Sequence, residues 1–193
     1  MPQPARISLD QLLSAAQELL ESHRIDGLTM RALARRLDVA APSLYFHVES
    51  REDLLRLLTE RGLRAFSDHL ASAVAGVADP RVRLHILADA YATFAAANPQ
   101  LFVLLFGPCP EERLVDPAVA EAASAPLLDA LAEVVPAEQV LSISQALWSL
   151  AHGYTTLALS GQFRLGGDPR AAVHQGLDFL LAGLPVAEPA PAR

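Results

Sequence analysis

Apolar residues recur at helical spacing from the start of the chain. Leu9, Leu12, Leu13, Ala16, Leu19 and Leu20 share one face, and Ser8 with Gln11 three residues on reads as a capping box that opens a first helix. Asp26-Gly27 ends it, glycine being the residue that tolerates positive φ. Thr29 caps a second helix, with Met30, Leu33 and Leu37 inward and Arg31, Arg35 and Arg36 outward. After the short connection Asp38-Val39-Ala40, Pro42 suits the first turn of a very short third helix, anchored by Leu44 and Val48. Ser50 caps a fourth, with Asp53 in its first turn, and Leu54, Leu55, Leu58, Phe66, Leu70, Val74 and Val77 continue its stripe to about Ala78. A run from 51 to 78 is about 40 Å long at the usual helical rise, enough to join two domains.

The pattern then predicts a fifth helix over 80–97, ended by Asn98-Pro99, and a short sixth over 99–106. Gly107-Pro108-Cys109-Pro110 is a loop by composition. Residues 117–135 read as helical, with Pro126 expected to kink them or to restart a helix after Ser124. Pro136 opens an eighth helix to about Ser160-Gly161. Phe163 to Gly167 is a turn, and Asp168-Pro169 opens a ninth helix to about Ala182. The tail 185–193 carries Pro185, Pro189 and Pro191 and reads as disordered. The expectation is an all-α fold of about nine helices. Residues 1–55 form a three-helix unit with the start of the linking helix, and 56–184 form a helical body.

Composition supports this reading. The 193 residues include 35 Ala and 34 Leu against 22 Val, Ile and Thr together, which favours helix over strand. The lone Cys109 excludes an intramolecular disulfide and a cysteine-based zinc site, and it fits a reducing compartment. Met1-Pro2-Gln3-Pro4 lacks a signal-peptide pattern, and the most apolar stretch, Ala146 to Leu159, is too short to span a bilayer. A bacterial cytoplasmic protein is expected. The six His are scattered, with no Gly-rich phosphate loop, metal-spaced set or Gly-x-Ser-x-Gly elbow, so neither enzyme chemistry, a cofactor nor a metal is expected.

Charge divides the chain. All 15 basic residues are Arg; residues 1–64 hold nine Arg and nine acidic residues, while 65–193 carry the whole net charge of −7. A net negative protein argues against nucleic acid on average, but an Arg-dense front needs only a local positive face.

That front has the spacing of a helix-turn-helix. Once Leu44 and Val48 anchor the third helix, Pro42, Ser43, Tyr45, Phe46 and His47 remain for solvent or a partner. In a DNA groove Tyr45 can donate to phosphate, Pro42 and Phe46 can pack on thymine methyls, and Ser43 and His47 can bond base edges or phosphate. Thr29 and Arg31 are placed for backbone contacts and an Arg–guanine fork. The alternative on spacing alone is a plain helical bundle with Tyr45 and His47 tucked inward.

The run Gly27-Leu28-Thr29-Met30-Arg31-Ala32-Leu33-Ala34, then Leu37-Asp38-Val39, Ser43-Leu44-Tyr45-Phe46-His47-Val48 and Ser50-Arg51-Glu52-Asp53-Leu54-Leu55, resembles the DNA-binding domain of the tetracycline-repressor (TetR) family. The resemblance implies DNA contacts from Thr29, Arg31, Pro42, Ser43, Tyr45, Phe46 and His47, and a phosphate contact from Arg51. It departs at Asp38, where the family has Gly, and at Glu49, where a basic residue is common. A second resemblance, over Asn98 to Phe106 and Trp148…His152-Gly153…Gly161-Gln162-Phe163, is to the Trp-His-Gly type of TetR C-terminal domain. Together they imply a repressor that binds a double-stranded palindromic operator as a homodimer and is released by an effector.

In the eighth helix, Ser144, Trp148, Ala151/His152, Thr155 and Leu159 follow one side, and Leu147, Leu150, Tyr154, Leu157 and Gly161 another. One side is expected to line a cavity and the other to meet a partner subunit. The ninth helix offers a similar stripe, Ala172, Val173, Gly176, Leu177, Leu180 and Leu184, so the homodimer is expected through the eighth and ninth helices. Candidates for an apolar or aromatic effector are Tyr91, Phe94, Phe102, Phe106, Trp148, His152 and Thr155. Each taken alone reads more readily as core, and His152 needs a ligand, a water or a backbone carbonyl as partner.

Overall fold

A computed structural model describes residues 7–183; the tail 185–193 and Leu184 lie outside the described residues. Every regular element among them is helical: α1 Leu9–Gly27, α2 Met30–Arg36, α3 Ala41–Leu44, α4 Arg51–Val74, α5 Pro80–Ala97, α6 Pro99–Phe106, α7 Pro117–Ala132, α8 Ala137–Leu159 and α9 Pro169–Ala182, with a 3-10 turn at Glu111–Arg113. The all-α expectation and the number of helices hold among these residues.

The chain divides into two compact units, and they interleave. The first takes the described residues up to Ala65 together with Asn98–Ala120; the second takes Phe66–Ala97 and the described residues from Glu121 on. Within the first unit α6 packs on α1.

In the first unit the caps are those the sequence announces. Ser8 and Gln11 form the reciprocal box, at 2.8 and 3.1 Å. Thr29 Oγ1 accepts the Ala32 amide at 3.1 Å, and Ser50 Oγ accepts that of Asp53 at 3.0 Å. Leu12, Leu20, Leu28, Leu33, Leu44, Leu54, Leu55, Leu58 and Leu101 are fully buried and form the core. The end of α1 differs from expectation. Its non-helical residue is Arg24 (φ 59°), and Gly27 does not take a positive φ. Glycine is needed at 27 for room instead, because a Cβ there would lie 2.4 Å from His23 Cβ.

The base of α6 is closed from a distance. Asn98 makes no side-chain cap bond to the helix. Glu21 of α1 supplies it, its carboxylate accepting the Gln100 amide at 3.1 Å and the Leu101 amide at 2.8 Å. Those are the second and third helical positions, where an N-cap side chain normally bonds.

In the second unit α5 packs on α8 and α8 on α9. The helix α4 stops at Val74 rather than near Ala78, because the chain turns through Gly76 at φ 77°. A restart after Ser124 is also absent: α7 runs through Pro126 as one helix. Proline cannot donate to the carbonyl four residues back. That carbonyl, Ala122 O, accepts the Ser67 hydroxyl at 2.9 Å instead.

Candidate functional site

The connection between α2 and α3 is tight because Asp38 turns it at φ 53°, the left-handed region. Aspartate tolerates that conformation better than most residues. The Val39 amide bonds Ala34 O at 3.0 Å and closes the corner. Pro42 starts α3, which ends after four residues; Tyr45, Phe46 and His47 follow in consecutive turns, held by Tyr45 N–Pro42 O and His47 N–Leu44 O bonds of 3.3 and 2.9 Å. Leu44 and Val48 are buried, as their spacing requires.

This leaves an aromatic outer face. Tyr45 is 52% exposed and Phe46 88%. His47 and Ser43 are half-buried, and Pro42 and Arg31 are exposed. Tyr45 is therefore not tucked inward, which removes the plain-bundle reading for that side chain. Thr29 is exposed, and its hydroxyl caps α2. Arg51 stands apart from this group. Its Nε donates to Leu28 O at 2.9 Å and an Nη to Ile25 O at 2.7 Å, so its fork ties α4 to the end of α1. Nothing local in the sequence reveals this, since the acceptors are backbone atoms 23 and 26 residues away. Asp53 lies below the usual carboxylate range: partial burial pushes it up, but the Glu49 amide and the Arg56 guanidinium outweigh that.

The second unit holds a small, half-open cavity of about 50 Å³ with almost wholly apolar walls. Leu84, Leu87 and Tyr91 of α5, Leu147, Trp148, Leu150 and Ala151 of α8, and Val173 and Leu177 of α9 contribute most of them. The two sides assigned to the eighth helix thus merge here, since residues 147 and 150 line the space together with 148 and 151. Of the seven effector candidates, Tyr91 and Trp148 line it. His152 stands directly behind: Trp148 Nε1 donates to the Tyr91 hydroxyl at 3.2 Å, and that hydroxyl lies 2.9 Å from His152 Nδ1. Burial pushes the Tyr91 phenol up, so it stays protonated and can donate to His152.

The remaining candidates lie elsewhere. Phe94 packs edge-on against Phe66, with ring centroids 5.2 Å apart. Thr155 is buried on α8, and its Oγ1 has no hydrogen-bond partner. Phe102 and Phe106 belong to the first unit, paired at 5.1 Å on α6. The walls that carry no aromatic ring are not legible in the sequence. Leu84, Leu87, Val173 and Leu177 have no property to separate them from ordinary core until three helices are brought together.

Among the described residues no group of three or more His, Cys, Asp or Glu is placed to hold a metal, and no helix is long and apolar enough to cross a membrane.

A helix-turn-helix with an exposed aromatic face, in a chain whose second unit is built of helices, is the arrangement of a DNA-binding transcriptional regulator. Comparison with known proteins narrows this. Residues 12–58 match the family described as bacterial regulatory proteins, tetR family, and residues 84–180 match the tetracyclin repressor-like C-terminal domain. An uncharacterized HTH-type transcriptional regulator of Mycobacterium tuberculosis is 31% identical over 82% of this chain and 73% of its own length. A solved Rhodococcus protein of unknown function is 29% identical at a TM-score of 0.78, covering 95% of this chain and 99% of its own. A TetR variant from Acinetobacter baumannii, solved in complex with minocycline, is 26% identical at a TM-score of 0.67, covering 92% and 96%. The chain belongs to the TetR family of transcriptional regulators.

Proposed function

We propose that this regulator is a repressor, acting in the bacterial cytoplasm as a homodimer on a palindromic operator and released by an apolar or aromatic effector. The observation that carries the reading is the exposed Tyr45-Phe46 pair beside the α2–α3 turn. Large rings left in water on an otherwise well-packed unit mark a contact surface. Thr29, Arg31, Pro42, Ser43, Tyr45, Phe46 and His47 make the DNA contacts, split between groove edges and phosphate. Arg51 acts mainly by fixing α4 against the α1–α2 connection, and its guanidinium adds charge near the phosphates.

For dimerisation, α8 and α9 leave Leu141, Leu157, Leu159, Phe179 and Leu180 exposed in a single chain. A second copy covering them forms a two-fold helical interface. The effector enters at Tyr91 and Trp148. A cavity of about 50 Å³ is smaller than the roughly 150 Å³ space that admits benzene, so binding must widen it. The orphaned Thr155 hydroxyl is a group a shifted α8 can satisfy. DNA affinity falls by the effector's preference for the widened state over the DNA-bound one.

Selection of DNA from a random duplex pool by the full-length protein tests this. The expected product is an inverted repeat with half-site centres about one helical turn apart or slightly more. Recovery of single half-sites or no enrichment counts against the homodimer reading. A reporter that falls in expression when the gene is deleted makes the protein an activator instead.

A further inference from the structure

Two histidines in the second unit face each other in an arrangement that the regulatory reading does not use. His85 of α5 and His174 of α9 bring their Nδ1 atoms to 3.0 Å. The rings are nearly parallel at 22°, with centroids 5.0 Å apart. Nitrogens so much closer than the ring centres mean that the rings meet by their edges. Each outer nitrogen is held by a carboxylate: His85 Nε2 lies 2.9 Å from Asp178 Oδ1, and His174 Nε2 lies 2.8 Å from Asp89 Oδ1. Asp89 is gripped in turn by Arg170 through two bonds of 2.8 and 2.5 Å. The residues follow one another at turn spacing, 85 and 89 on α5, and 170, 174 and 178 on α9. They form a polar seam between the two helices.

Proton counting decides what this seam holds. Both Nε2 atoms face carboxylates, so both must carry hydrogen. If each ring is neutral, each has then used its only proton, and two bare lone pairs oppose each other at 3.0 Å. If each ring is doubly protonated, two N–H groups collide there. Only a pair with three ring protons satisfies all three contacts, one Nδ1 donating to the other. Charge agrees: Asp89 and Asp178 supply −2, Arg170 +1, and one imidazolium the remaining +1. Asp168 also attracts Arg170, but its carboxylate caps α9, accepting the Arg170 amide at 2.9 Å, and faces neither ring. Arg81 of α5 points to Leu181 O, at 3.3 Å, and Arg83 pairs with Glu133. From α8, Tyr154 approaches Arg170, and His152 is turned to Tyr91.

We propose that His85 and His174 form a site for one proton, a cationic clasp that holds α5 to α9. A metal is the other cation that two converging Nδ1 atoms can take. Two imidazoles on a tetrahedral zinc stand about 3.3 Å apart at ordinary Zn–N lengths. The observed 3.0 Å fits an N–H···N bond better. The clasp runs beside Leu84, Leu87, Val173 and Leu177, so it sets the spacing of two cavity walls. Parting α5 from α9 breaks the shared bond.

The test is nitrogen-15 NMR of the histidine side chains in the full-length protein at neutral pH, with signals assigned from His85→Gln and His174→Gln. The expected result is three ring protons on the two residues and a scalar coupling between the two Nδ1 nuclei through the shared proton. Two or four ring protons, or no coupling, overturn the proposal. Stoichiometric Zn²⁺ that abolishes the shared-proton signal and raises the melting temperature makes the site a metal site and overturns it as well. The wild-type spectrum decides even if a variant fails to fold, and the outcome does not depend on DNA or effector binding.

Discussion

Replacing Glu21 by alanine should loosen α6 from α1 without touching the hydrophobic core. The carboxylate accepts two amides, Gln100 and Leu101, at 3.1 and 2.8 Å. Asn98, at the cap position, does not bond them with its side chain. An N-cap side chain contributes about 0.5–2 kcal/mol, and a charged acceptor lies at the upper end of that range. A carboxylate at a helix N-terminus adds about 0.3–1 kcal/mol through the dipole. Glu21 is half-exposed, so water recovers part of the loss. The net expectation for Glu21→Ala is about 1.5–2.5 kcal/mol of stability. Glu21→Gln keeps one good acceptor and loses the charge, so it should cost about 1 kcal/mol. Urea unfolding of the full-length protein gives the energies, and amide hydrogen exchange locates them. Exchange at Gln100 and Leu101 should accelerate ahead of the rest of the first unit. If Glu21→Ala stays within about 0.5 kcal/mol of wild type with unchanged exchange at both amides, the capping argument is wrong.

Three further outcomes are expected. Gly27→Ala should cost about 1–3 kcal/mol, read as a lower urea midpoint, because a Cβ would lie 2.4 Å from His23 Cβ, an atom fixed to the backbone. Ser67→Ala should cost about 0.5–1 kcal/mol by loss of its bond to Ala122 O. In a Pro126→Ala background the helix satisfies that carbonyl itself, and the cost should shrink. The Arg170 guanidinium, with His174, holds the Asp89 carboxyl below the usual carboxylate range. Its stabilising effect is therefore present above the unfolded carboxylate value, about 3.9, and is lost as pH falls through the lower folded value. The acid branch of the stability curve should flatten in Asp89→Asn, and Arg170→Gln should move the acid midpoint upward.

The parts of the molecule legible in the sequence are those governed by near neighbours. Ser8, Thr29 and Ser50 cap helices because their partners lie three residues away, and Leu44 and Val48 are buried because four residues make one turn. The Tyr45-Phe46 face was legible by subtraction, once the anchors had been assigned. What stayed hidden depends on contacts distant in sequence. Glu21 reads as an ordinary surface carboxylate until α6 arrives 79 residues later. The bonds from Arg51 to α1 and the following loop are equally invisible, because their acceptors are backbone atoms 23 and 26 residues away. Phe102 and Phe106 lie in the first unit, and ring character carries no information about which unit a short helix joins. Pro126 is tolerated because a hydroxyl from α4 fills the missing bond, a compensation no local rule anticipates.

The central claim is that the face around Tyr45 and Phe46 binds operator DNA. The most direct measurement is the affinity of Tyr45→Ala and Phe46→Ala for the selected operator, by fluorescence anisotropy at fixed salt. Both side chains are exposed, so circular dichroism and the urea midpoint should remain those of the wild type. Each should lose roughly ten-fold or more in specific binding, with the weak, salt-sensitive binding to unrelated DNA largely retained. Operator affinity at the wild-type level in both variants would contradict it.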